Sequence, residues 1–516
     1  MLRKAALAAL LLAAQWGWCQ PAPERLLALA NTAAHAARDS AAPYDERNWL
    51  ARFYGARSYA PAWTAASAAQ ARALLDRAVE HGMPARGDNV TAADDAVDAD
   101  AALTLAMLRY LADLHVGQVR STFAPARTFD PVPLLERALL DQNLAGAVDA
   151  AAPQLALYAR LKTLLASYRT LATAPMAPLA AGDAPALAAR LALLGDLAPE
   201  LAATAGSAEL ALALKRFQDR HGLEADGAPG RQTLAALNVP LAARVRQIEL
   251  SLERLRWLPD LSGGPFIAIN LPSFRLWAFN AVDAAPVLAT RVIVGKSVRT
   301  QTPLFIGTLR YIEFNPYRNV PPSILRGEIV PALLRDPGYL VKNDMEVATT
   351  GAQKADAATL AALRAGSLRV RQRPGPRNAL GAIKFALPNP MNIYLHSTPA
   401  RALFARARRD FSHGCIRVED TVGLANFVLD RQASWTAETV AAAMAPGPNR
   451  TVQLKATMPV VMFYTTAMVD HDGRALFPDD VYGFDAALER SLQARAGRPK
   501  RESTQNNSVS QAMLPD

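Results

Sequence analysis

Along the first third of the chain, hydrophobic side chains recur three and four positions apart, which is the spacing of one helix face. Met107, Leu111 and Leu114 show this pattern, and Gly117 follows where such a helix would end. Alanine, the strongest helix former, is frequent throughout this region. The pattern predicts a mostly α-helical N-terminal half that begins with a helical scaffold domain at residues 24–200.

A second helical pattern follows a Pro- and Ala-rich stretch, residues 172–188, which predicts a linker or a broken helix. In the sequence ELALALKRFQDRHGLEADGAPGRQTLAALN, residues 209–238, Leu214 and Phe217 fall on one helix face. The DGAPG segment predicts a turn, and another apolar helical run comes after it. We therefore expect a compact helical hairpin that forms a separate unit at residues 205–240.

From Gly263 onward the pattern changes to alternation of hydrophobic and polar residues, with many Val, Ile, Phe and Trp. The segments PFIAINLPSFRLWAF, VLATRVIVG, GTLRYIEFNP and IKFALPNPMNIYLH therefore predict strands. A polar, helix-rich insert at residues 321–367 interrupts them and predicts a helical lid subdomain. The strands and their insert are expected to form one β-rich domain over residues 264–432.

Downstream of these strands, Asp420 is a candidate N-cap for a helix that buries Leu424 and Val428. This helix is expected to close the β-rich domain, so residues 433–494 are predicted to be a C-terminal extension. Residues 495–516 are polar and rich in Gln, Asn and Ser, which predicts a disordered tail. A chain of 516 residues is too long for one core, and its length predicts two to four domains.

The charge balance narrows the choice of partners. The chain carries 56 Lys+Arg against 46 Asp+Glu, a formal net charge of +10. This excess favours an anionic partner, which is nucleic acid, lipid headgroups or a polymer that bears carboxylates. Charge alone does not choose among the three.

The first residues have the layout of a secretory signal peptide. Arg3 and Lys4 precede a short apolar run, and the small residues Gly17 and Cys19 stand two apart behind it. We expect cleavage after Cys19, so that residues 1–19 leave; a lipoprotein cut before Cys19 and an uncleaved anchor are the alternatives. Export argues against nucleic acid as a partner. No later stretch holds eighteen unbroken apolar residues, so membrane contact is expected only if the signal stays uncleaved.

Cleavage would leave Cys415 as the one cysteine of the mature chain, since Cys19 is the other cysteine of the sequence. An odd thiol in an oxidising compartment is either buried and inert or kept for its reactivity. A small buried thiol is the common case, so the neighbouring residues must indicate whether Cys415 is reactive. Of the seven histidines, His396 and His413 are the two that cluster with Cys415 in the sequence.

A thiol attacks a carbonyl as the thiolate, so it needs a base, and the base needs an orienting group. His413 is two positions from Cys415 on an extended segment, so the two side chains run parallel. His396 closes a predicted neighbouring strand and is the better candidate base, with the Ser397 main chain or hydroxyl holding its tautomer. The N–H groups of Gly414 and Cys415 are candidates for an oxyanion hole.

Arg417 is a candidate to bind a substrate carboxylate or to lower the pKa of the thiol through its charge. Other kinds of site fit less well. A zinc site built on His396, His413 and Cys415 lacks an evident fourth ligand, so we expect no metal. The order of His before Cys differs from that of papain-type proteases, and the QAC.G signature of caspases is absent.

Several spaced segments resemble one known family. The segments HS at 396–397 and SHGCIR at 412–417 closely resemble the signature of L,D-transpeptidases with a YkuD-type catalytic domain. RTQTP, FNPYRNVPPSI and RQRPGPRNALGAIKF stand in the order of that family, and the resemblance spans residues 265–430. Residues 209–238 resemble the small helical peptidoglycan-binding module of cell-wall enzymes. The whole layout resembles the large periplasmic murein cross-linking branch of the family.

The resemblance implies a peptidoglycan L,D-transpeptidase that works through a cysteine acyl-enzyme, without a cofactor or a metal. Cys415 would attack the carbonyl at the L-centre of meso-diaminopimelate in a tetrapeptide stem, and D-alanine would leave. His396 would take the thiol proton, and the backbone amides of His413, Gly414 and Cys415 would hold the oxyanion. The side-chain amine of a second stem would then give a diaminopimelate–diaminopimelate cross-link. Water as the acceptor would make the enzyme an L,D-carboxypeptidase.

Substrate contacts are expected from Arg417, Tyr394, Ser412 and Arg318, and the expected partners are peptidoglycan stem peptides. The resemblance also implies that carbapenem β-lactams acylate the thiol and that the protein is periplasmic. The same branch often has tryptophan where this chain has Arg318, which predicts a changed affinity or preference for substrate. The basic segment RALFARARR, residues 401–409, is either a solvated surface or a clamp for stem-peptide carboxylates.

Two further functions stay open at this point. A non-catalytic wall-binding scaffold would dock through residues 209–238 and contribute no chemistry. A hydrolase that detaches lipoprotein from the wall would use the same thiol. Covalent capture of a carbapenem distinguishes the enzymes from the scaffold, and product analysis distinguishes the hydrolase from the transpeptidase.

Overall fold

The computed structural model of the chain describes residues 22–36, 44–87, 95–121, 128–298 and 300–496. The predicted signal peptide, residues 1–19, lies outside these ranges, as do Arg299 and residues 497–516. No helix within the described ranges is long and apolar enough to cross a membrane.

The N-terminal region is built from α-helices that share one hydrophobic core. These helices are Ala22–Ala36, Trp49–Gly55, Ala65–Asp76, Ala96–Val116, Pro131–Leu140 and Leu144–Ala151, with a 3-10 helix at Arg77–His81. The longest helix begins after Asp95, whose side chain accepts a hydrogen bond from the N–H of Val97 (2.7 Å), and it ends at Gly117. Its face with Met107 and Leu111 is fully buried, so the predicted helical N-terminal region is confirmed.

The predicted linker contains a helix that belongs to the next unit. Three helices share the core of this unit: Ala184–Leu193, Ser207–Arg220 and Arg231–Leu237. Leu191 of the first helix is fully buried with Phe217 of the second. The predicted start of the unit at residue 205 is therefore wrong. The predicted linker is also wrong from Ala184 onward, because a helix of the unit begins there. Proline within the first turn of a helix is compatible with the helix, because the N–H it lacks has no intrahelical partner there.

Two long helices connect the N-terminal half to the β-rich half. Ala156–Leu171 packs along Leu241–Leu255, and both face the sheet. Leu161 and Leu252 are fully buried in one core with Val461, a residue of the sheet. The two halves therefore share apolar packing.

Fourteen strands follow within the described ranges. They are β1 Phe266–Asn270, β2 Arg275–Phe279, β3 Leu288–Gly295, β4 Phe305–Phe314, β5 Arg318–Asn319, β6 Met345–Val347, β7 Val370–Gln372, β8 Ile383–Ala386, β9 Leu395–His396, β10 Asp410–Ser412, β11 Ile416–Val418, β12 Arg450–Phe463, β13 Met468–Val469 and β14 Ala475–Leu476. Nine of them form a sheet in the order β10-β3-β11-β9-β8-β4-β12-β1-β2. Because β2 also pairs with β3, this sheet closes on itself around a core that includes Ile312, Phe385 and Ile416.

Strand β12 lies between β4 and β1, although the sequence analysis assigns it to the C-terminal extension, residues 433–494. The predicted end of the β-rich domain at residue 432 is therefore wrong. Val460 and Met462 are buried in the core of the closed sheet, whereas Val461 and Phe463 pack against the helices outside it. A segment that is covered on both faces shows no alternation, so the pattern that predicts the other strands is missing at residues 460–463, although Val452 and Leu454 alternate with exposed residues earlier in the strand.

The insert predicted at residues 321–367 is a small subdomain with its own core. Its helices are Pro322–Ile324, Val330–Arg335, Tyr339–Lys342 and Ala357–Ala365, with a π-helical turn at Leu325–Ile329. Strands β5, β7 and β6 add a three-stranded sheet, so the subdomain extends past both predicted ends and is not purely helical. Strands of two or three residues are too short to produce a detectable period in the sequence.

The C-terminal helices are Thr421–Leu429, Ala437–Met444 and Phe484–Ala496. Asp420 caps the first of them as predicted, since its side chain accepts a hydrogen bond from the N–H of Gly423 (2.8 Å). Arg495, in the last helix, lies 2.9 Å from the fully buried carboxylate of Asp113. The prediction of a disordered tail from residue 495 is therefore wrong at its first two residues, because a buried acidic partner holds the end of this helix.

Candidate active site

Cys415 stands in a bend between β10 and β11, and the hydroxyl of Ser412 holds this bend together. That hydroxyl donates to the main-chain oxygen of Cys415 (2.5 Å) and accepts from the N–H of Gly414 (3.1 Å). Gly414 has a φ of +114°, which favours glycine. The bend leaves Cys415 as a free, half-buried cysteine.

The bend bears on two predicted roles. The side chain of Ser412 is 2% exposed and both of its bonds stay inside the loop, so it has a structural role here, and its substrate contact stays a prediction because the residue also lines the cavity of Cys415. The N–H of Gly414 is already bonded to Ser412, so the prediction that it faces an oxyanion is wrong. Within the described residues, the N–H groups of His413 and Cys415 have no hydrogen-bond partner, and they are the remaining candidate donors.

Thr302, from the RTQTP segment, supports the bend from behind. Its hydroxyl donates to the main-chain oxygen of Gly414 (2.7 Å) and accepts from the N–H of Gly295 (2.8 Å). The hydroxyl of Tyr482 accepts from the N–H of Thr302 (3.2 Å) and donates to the main-chain oxygen of Gly295 (2.7 Å). Tyr482 is not predicted from the sequence, because it lies 180 positions from Thr302 and no local pattern marks it.

His396 is the last residue of β9 and faces Arg417 across the parallel pair that β9 forms with β11. Its Nδ1 atom lies 2.5 Å from the main-chain oxygen of Ser397. Because a carbonyl oxygen only accepts, Nδ1 carries the proton and Nε2 keeps its lone pair. Burial and then the charge of Arg417 lower the pKa of His396 to about 3, so the ring is neutral at physiological pH.

The imidazole of His396 and the thiol of Cys415 line the same cavity, but no hydrogen bond joins them in the described part of the chain. The register of the parallel pair places Cys415 beside Tyr394 rather than beside His396. The thiol instead donates to the main-chain oxygen of Asn392, 3.5 Å away. The expected hydrogen bond between ring and sulfur is therefore not formed in the described part of the chain, and their approach during catalysis stays a prediction.

Tyr394 and nearby cations set the ionisation of Cys415. Burial, the largest influence, raises the pKa of the thiol. Hydrogen bonds from the main chain and side chain of Tyr394 lower it, as do the charges of Arg318 and Lys384. The net direction is upward, so the thiol is protonated at neutral pH and needs a base to become a nucleophile. The Tyr394 ring lies edge-on to the His396 ring, with the centroids 5.7 Å apart.

His413 turns away from the thiol and toward the insert. Its Nε2 atom lies 2.8 Å from Oε1 of Glu328, which belongs to the π-helical turn Leu325–Ile329. His413 is therefore not placed to accept the proton of Cys415, and the bond ties the insert to the loop of the thiol. Glu328 is a further residue that the sequence analysis missed. No group of three or more His, Cys, Asp or Glu side chains within the described ranges is arranged to hold a metal ion.

The cavity around Cys415 has a volume of about 1000 Å³, and the insert forms one of its walls. Among the described residues, Glu328 is the one acidic residue in the lining of this cavity. Five cationic side chains line it as well: Lys296, Arg318, Arg369, Lys384 and Arg417. Burial and the charge of Arg318 lower the pKa of Arg417. An excess of cations of this kind suits a ligand with carboxylates.

The basic segment at residues 401–409 does not contribute to this cavity. Arg401, Arg406, Arg408 and Arg409 line a separate groove of about 790 Å³ instead. The segment therefore does not form a clamp around Cys415.

Comparison with known proteins identifies the domains. Residues 264–454 match the YkuD family, described as L,D-transpeptidase catalytic domain; residues 48–165 match a scaffold domain, and residues 182–237 match a "Putative peptidoglycan binding domain". A protein of Haemophilus influenzae described as "Putative L,D-transpeptidase" is 31% identical over 266 residues. That alignment covers 50% of this chain and 53% of the relative, so the chain spans about half the length of the curated relative it matches.

The β-rich half of the chain therefore contains a YkuD domain, residues 264–454. The helical half that precedes it contains the scaffold domain at residues 48–165 and the peptidoglycan-binding domain at residues 182–237.

Proposed function

We propose that the protein is a peptidoglycan L,D-transpeptidase with Cys415 as its nucleophile. The observation that carries this proposal is the position of Cys415, a free thiol on a bend that opens into a cavity rich in cations. Similarity to an L,D-transpeptidase catalytic domain and to a peptidoglycan-binding domain supports peptidoglycan as the substrate. Cell-wall enzyme domains belong to proteins outside the cytoplasm, and we assign this protein to the periplasm, reached through the signal peptide at residues 1–19.

The first half-reaction acylates the thiol. A tetrapeptide stem binds with the carbonyl at the L-centre of meso-diaminopimelate next to Cys415. Nε2 of His396 takes the thiol proton, the sulfur attacks the carbonyl carbon, and a C–S bond forms as the C–N bond to D-alanine breaks. His396 then gives the proton to the departing amine. This step requires the ring and the sulfur to approach each other, and catalytic hydrogen bonds often tighten only when substrate is bound.

The surrounding residues support this step in distinct ways. The N–H groups of His413 and Cys415 hold the tetrahedral oxygen, since neither has a partner within the described residues. The main-chain oxygen of Ser397 fixes the tautomer in which Nε2 of His396 carries no proton. The hydroxyl and N–H of Tyr394 stabilise the thiolate as it forms.

The cations of the cavity recognise the stem. Arg318 and Arg417 bind its carboxylates, because the planar fork of a guanidinium matches the two oxygens of a carboxylate. Tyr394 lines the same cavity, and the insert that carries Glu328 covers the stem from the opposite wall.

The second half-reaction transfers the acyl group to an amine. The side-chain amine of a second stem attacks the thioester, a C–N bond forms, and the C–S bond breaks. The proton lost by the amine returns to Cys415 through His396. The product is a direct diaminopimelate–diaminopimelate cross-link. A carbapenem acylates the same thiol when the thiolate opens the β-lactam ring, and it leaves a covalent adduct.

The test is incubation of the purified protein with tetrapeptide muropeptides, followed by mass spectrometry of the products. We expect cross-linked dimers and an equal amount of free D-alanine, and we expect neither from Cys415→Ala. Release of D-alanine without dimers would identify an L,D-carboxypeptidase instead. Dimers formed by the Cys415→Ala protein would contradict the assignment of Cys415 as the nucleophile.

A further inference from the structure

A second large groove lies between the peptidoglycan-binding domain and the catalytic domain, and we call it the interdomain groove. Its volume is about 790 Å³. One side is the turn of the peptidoglycan-binding domain that contains Glu224, and the other side is the basic segment at residues 401–409. The two sides touch where Glu224 accepts a hydrogen bond from the N–H of Ala407 (3.0 Å). The groove is therefore shared between the two domains.

Several arginines of this groove have no close acidic partner. Arg401 donates to the main-chain oxygen of Glu419 (3.2 Å), which carries no charge. Arg406 is 3.8 Å from the Glu224 carboxylate, and Arg275 is 4.0 Å from that of Asp219. Ion pairs this long and exposed contribute little, so these guanidinium groups are available to a ligand.

Arg409, at the base of the groove, is a buried cation that has no carboxylate among its hydrogen-bond partners. It is 7% exposed, and its guanidinium donates to the main-chain oxygens of Val292, Phe274 and Arg406. Burial, followed by the charges of Arg291 and Arg275, lowers the pKa of Arg409 to about 10. The lining of the groove contains seven arginines against five acidic residues, which are Asp219, Glu224, Glu419, Asp420 and Asp479. Positive charge is therefore in excess and favours an anion in the groove.

The interdomain groove also leads toward the thiol. A depression of about 390 Å³ shares Glu224, Arg406 and Arg408 with the groove, and it shares Lys296 and Val298 with the cavity of Cys415. The cationic lining thus continues from the peptidoglycan-binding domain to the catalytic cavity. A polymer held by the first domain can follow this surface to the second.

We propose that the interdomain groove is a binding site for a carboxylate-bearing peptide segment of the wall polymer, with Arg401, Arg406 and Arg275 as its main contacts. The identity of the polymer rests on the proposed function. Guanidinium groups favour carboxylates, whereas a sugar ring would stack on an exposed aromatic side chain. Phe274 is the aromatic residue in the lining, and it is 5% exposed, so the groove offers no such face.

The experiment measures cosedimentation of the full-length protein with purified sacculi at several salt concentrations. All variants also carry Cys415→Ala, so binding is measured without covalent capture, and the result does not depend on whether the thiol is catalytic. We expect Arg401→Glu with Arg406→Glu to raise the apparent Kd about tenfold or more, because two charge-assisted contacts are lost. The salt dependence of binding should also become shallower.

Two further variants decide whether the effect belongs to the groove. Arg364→Glu with Arg490→Glu makes the same change in net charge at exposed sites that line neither cavity, and it should leave the apparent Kd within about twofold. Ala405→Trp fills the groove without a change in charge and should weaken binding as well. Equal losses in both charge-reversal pairs would overturn the proposal, as would full binding by Ala405→Trp. Failure of the proposed function would instead appear in the protein that retains Cys415, which would then form no cross-linked dimers from muropeptides.

Discussion

The Nδ1 atom of His396 donates a hydrogen bond to the main-chain oxygen of Ser397 at 2.5 Å, and this bond decides which nitrogen of the ring can act as a base. It leaves the lone pair of Nε2 available in the cavity that also contains Cys415. His413, the other nearby histidine, is bonded to Glu328 instead. The two histidines of the signature therefore have different partners, and we propose only His396 as the base.

Removing the imidazole of His396 should slow acylation without unfolding the protein. His396→Ala is expected to reduce the rate of carbapenem acylation by about 10²-fold or more, because general-base catalysis is lost. The rate is followed by intact mass against time, with the melting temperature as a check on folding. The matched control is His413→Ala, which removes an imidazole that faces Glu328. If His413→Ala proves the slower variant, the choice of base is wrong.

The pH dependence of thiol reactivity should reflect a protonated thiol and a neutral ring. The pKa of His396 is lowered to about 3, so its ring stays neutral and able to accept a proton as the pH falls from neutral to about 4. The pKa of Cys415 is raised by burial, so the thiolate fraction keeps growing as the pH rises above neutral. The alkylation rate of Cys415 by iodoacetamide should therefore increase steadily from neutral to alkaline pH. A plateau that already begins below neutral pH would indicate a preformed thiolate–imidazolium pair and contradict this account.

The bonds behind the bend of the thiol should matter for catalysis more than for stability. Thr302→Val removes the hydroxyl that donates to Gly414, and Tyr482→Phe removes the one that bonds Gly295 and Thr302. Each variant should lower the acylation rate about 3- to 10-fold, since one neutral hydrogen bond contributes about 1 kcal/mol and here it fixes the position of the nucleophile.

Two comparisons separate this positioning role from a loss of stability. Thr302→Ser keeps a hydroxyl and should restore most of the rate. Tyr54→Phe removes another buried hydroxyl, which bonds Asp100 in the scaffold domain, and it should leave acylation unchanged even if the melting temperature falls. Equal effects of Tyr54→Phe and Tyr482→Phe on the acylation rate would argue against the positioning role.

Arg318, where the related branch often has tryptophan, should influence the thiol directly. Its charge lowers the pKa of Cys415, so Arg318→Trp should raise that pKa and slow alkylation at a fixed neutral pH. Arg318→Lys keeps the charge and should behave nearly like the unchanged protein. Arg369 lines the same cavity but is not among the charges that act on the thiol, which makes Arg369→Ala a suitable control. An alkylation profile that is unchanged in Arg318→Trp would show that the charge of Arg318 does not reach the sulfur.

The local sequence predicts a helix or strand of this protein where one face of the element is buried and the other is exposed to solvent. The helix Ser207–Arg220 and strands such as β4 are found for this reason. In strand β12, residues 460–463 show no period because both of their faces are covered, whereas the alternation at residues 451–455 is open to detection from the sequence. The helix Ala184–Leu193 is missed because its proline resembles a linker signal, although proline is compatible with the first turn.

The residues of the candidate site also fall into two groups, those that the local sequence indicates and those that only the fold brings together. Cys415, His396 and Arg417 can be found from the sequence, because each is a chemically unusual residue close to the others along the chain. The hydrogen bond from Gly414 to Ser412 cannot be foreseen, since it depends on the geometry of the bend. Tyr482 and Glu328 reach the loop of the thiol from distant segments, and packing alone determines that proximity.

The central claim, that Cys415 is the nucleophile of an acyl-enzyme, is tested most directly by the mass of the intact protein after treatment with meropenem. We expect the protein to gain the mass of one carbapenem, with the adduct on the peptide that contains Cys415, and we expect no gain in Cys415→Ala. An unchanged mass, or an adduct that persists in Cys415→Ala, would contradict the account.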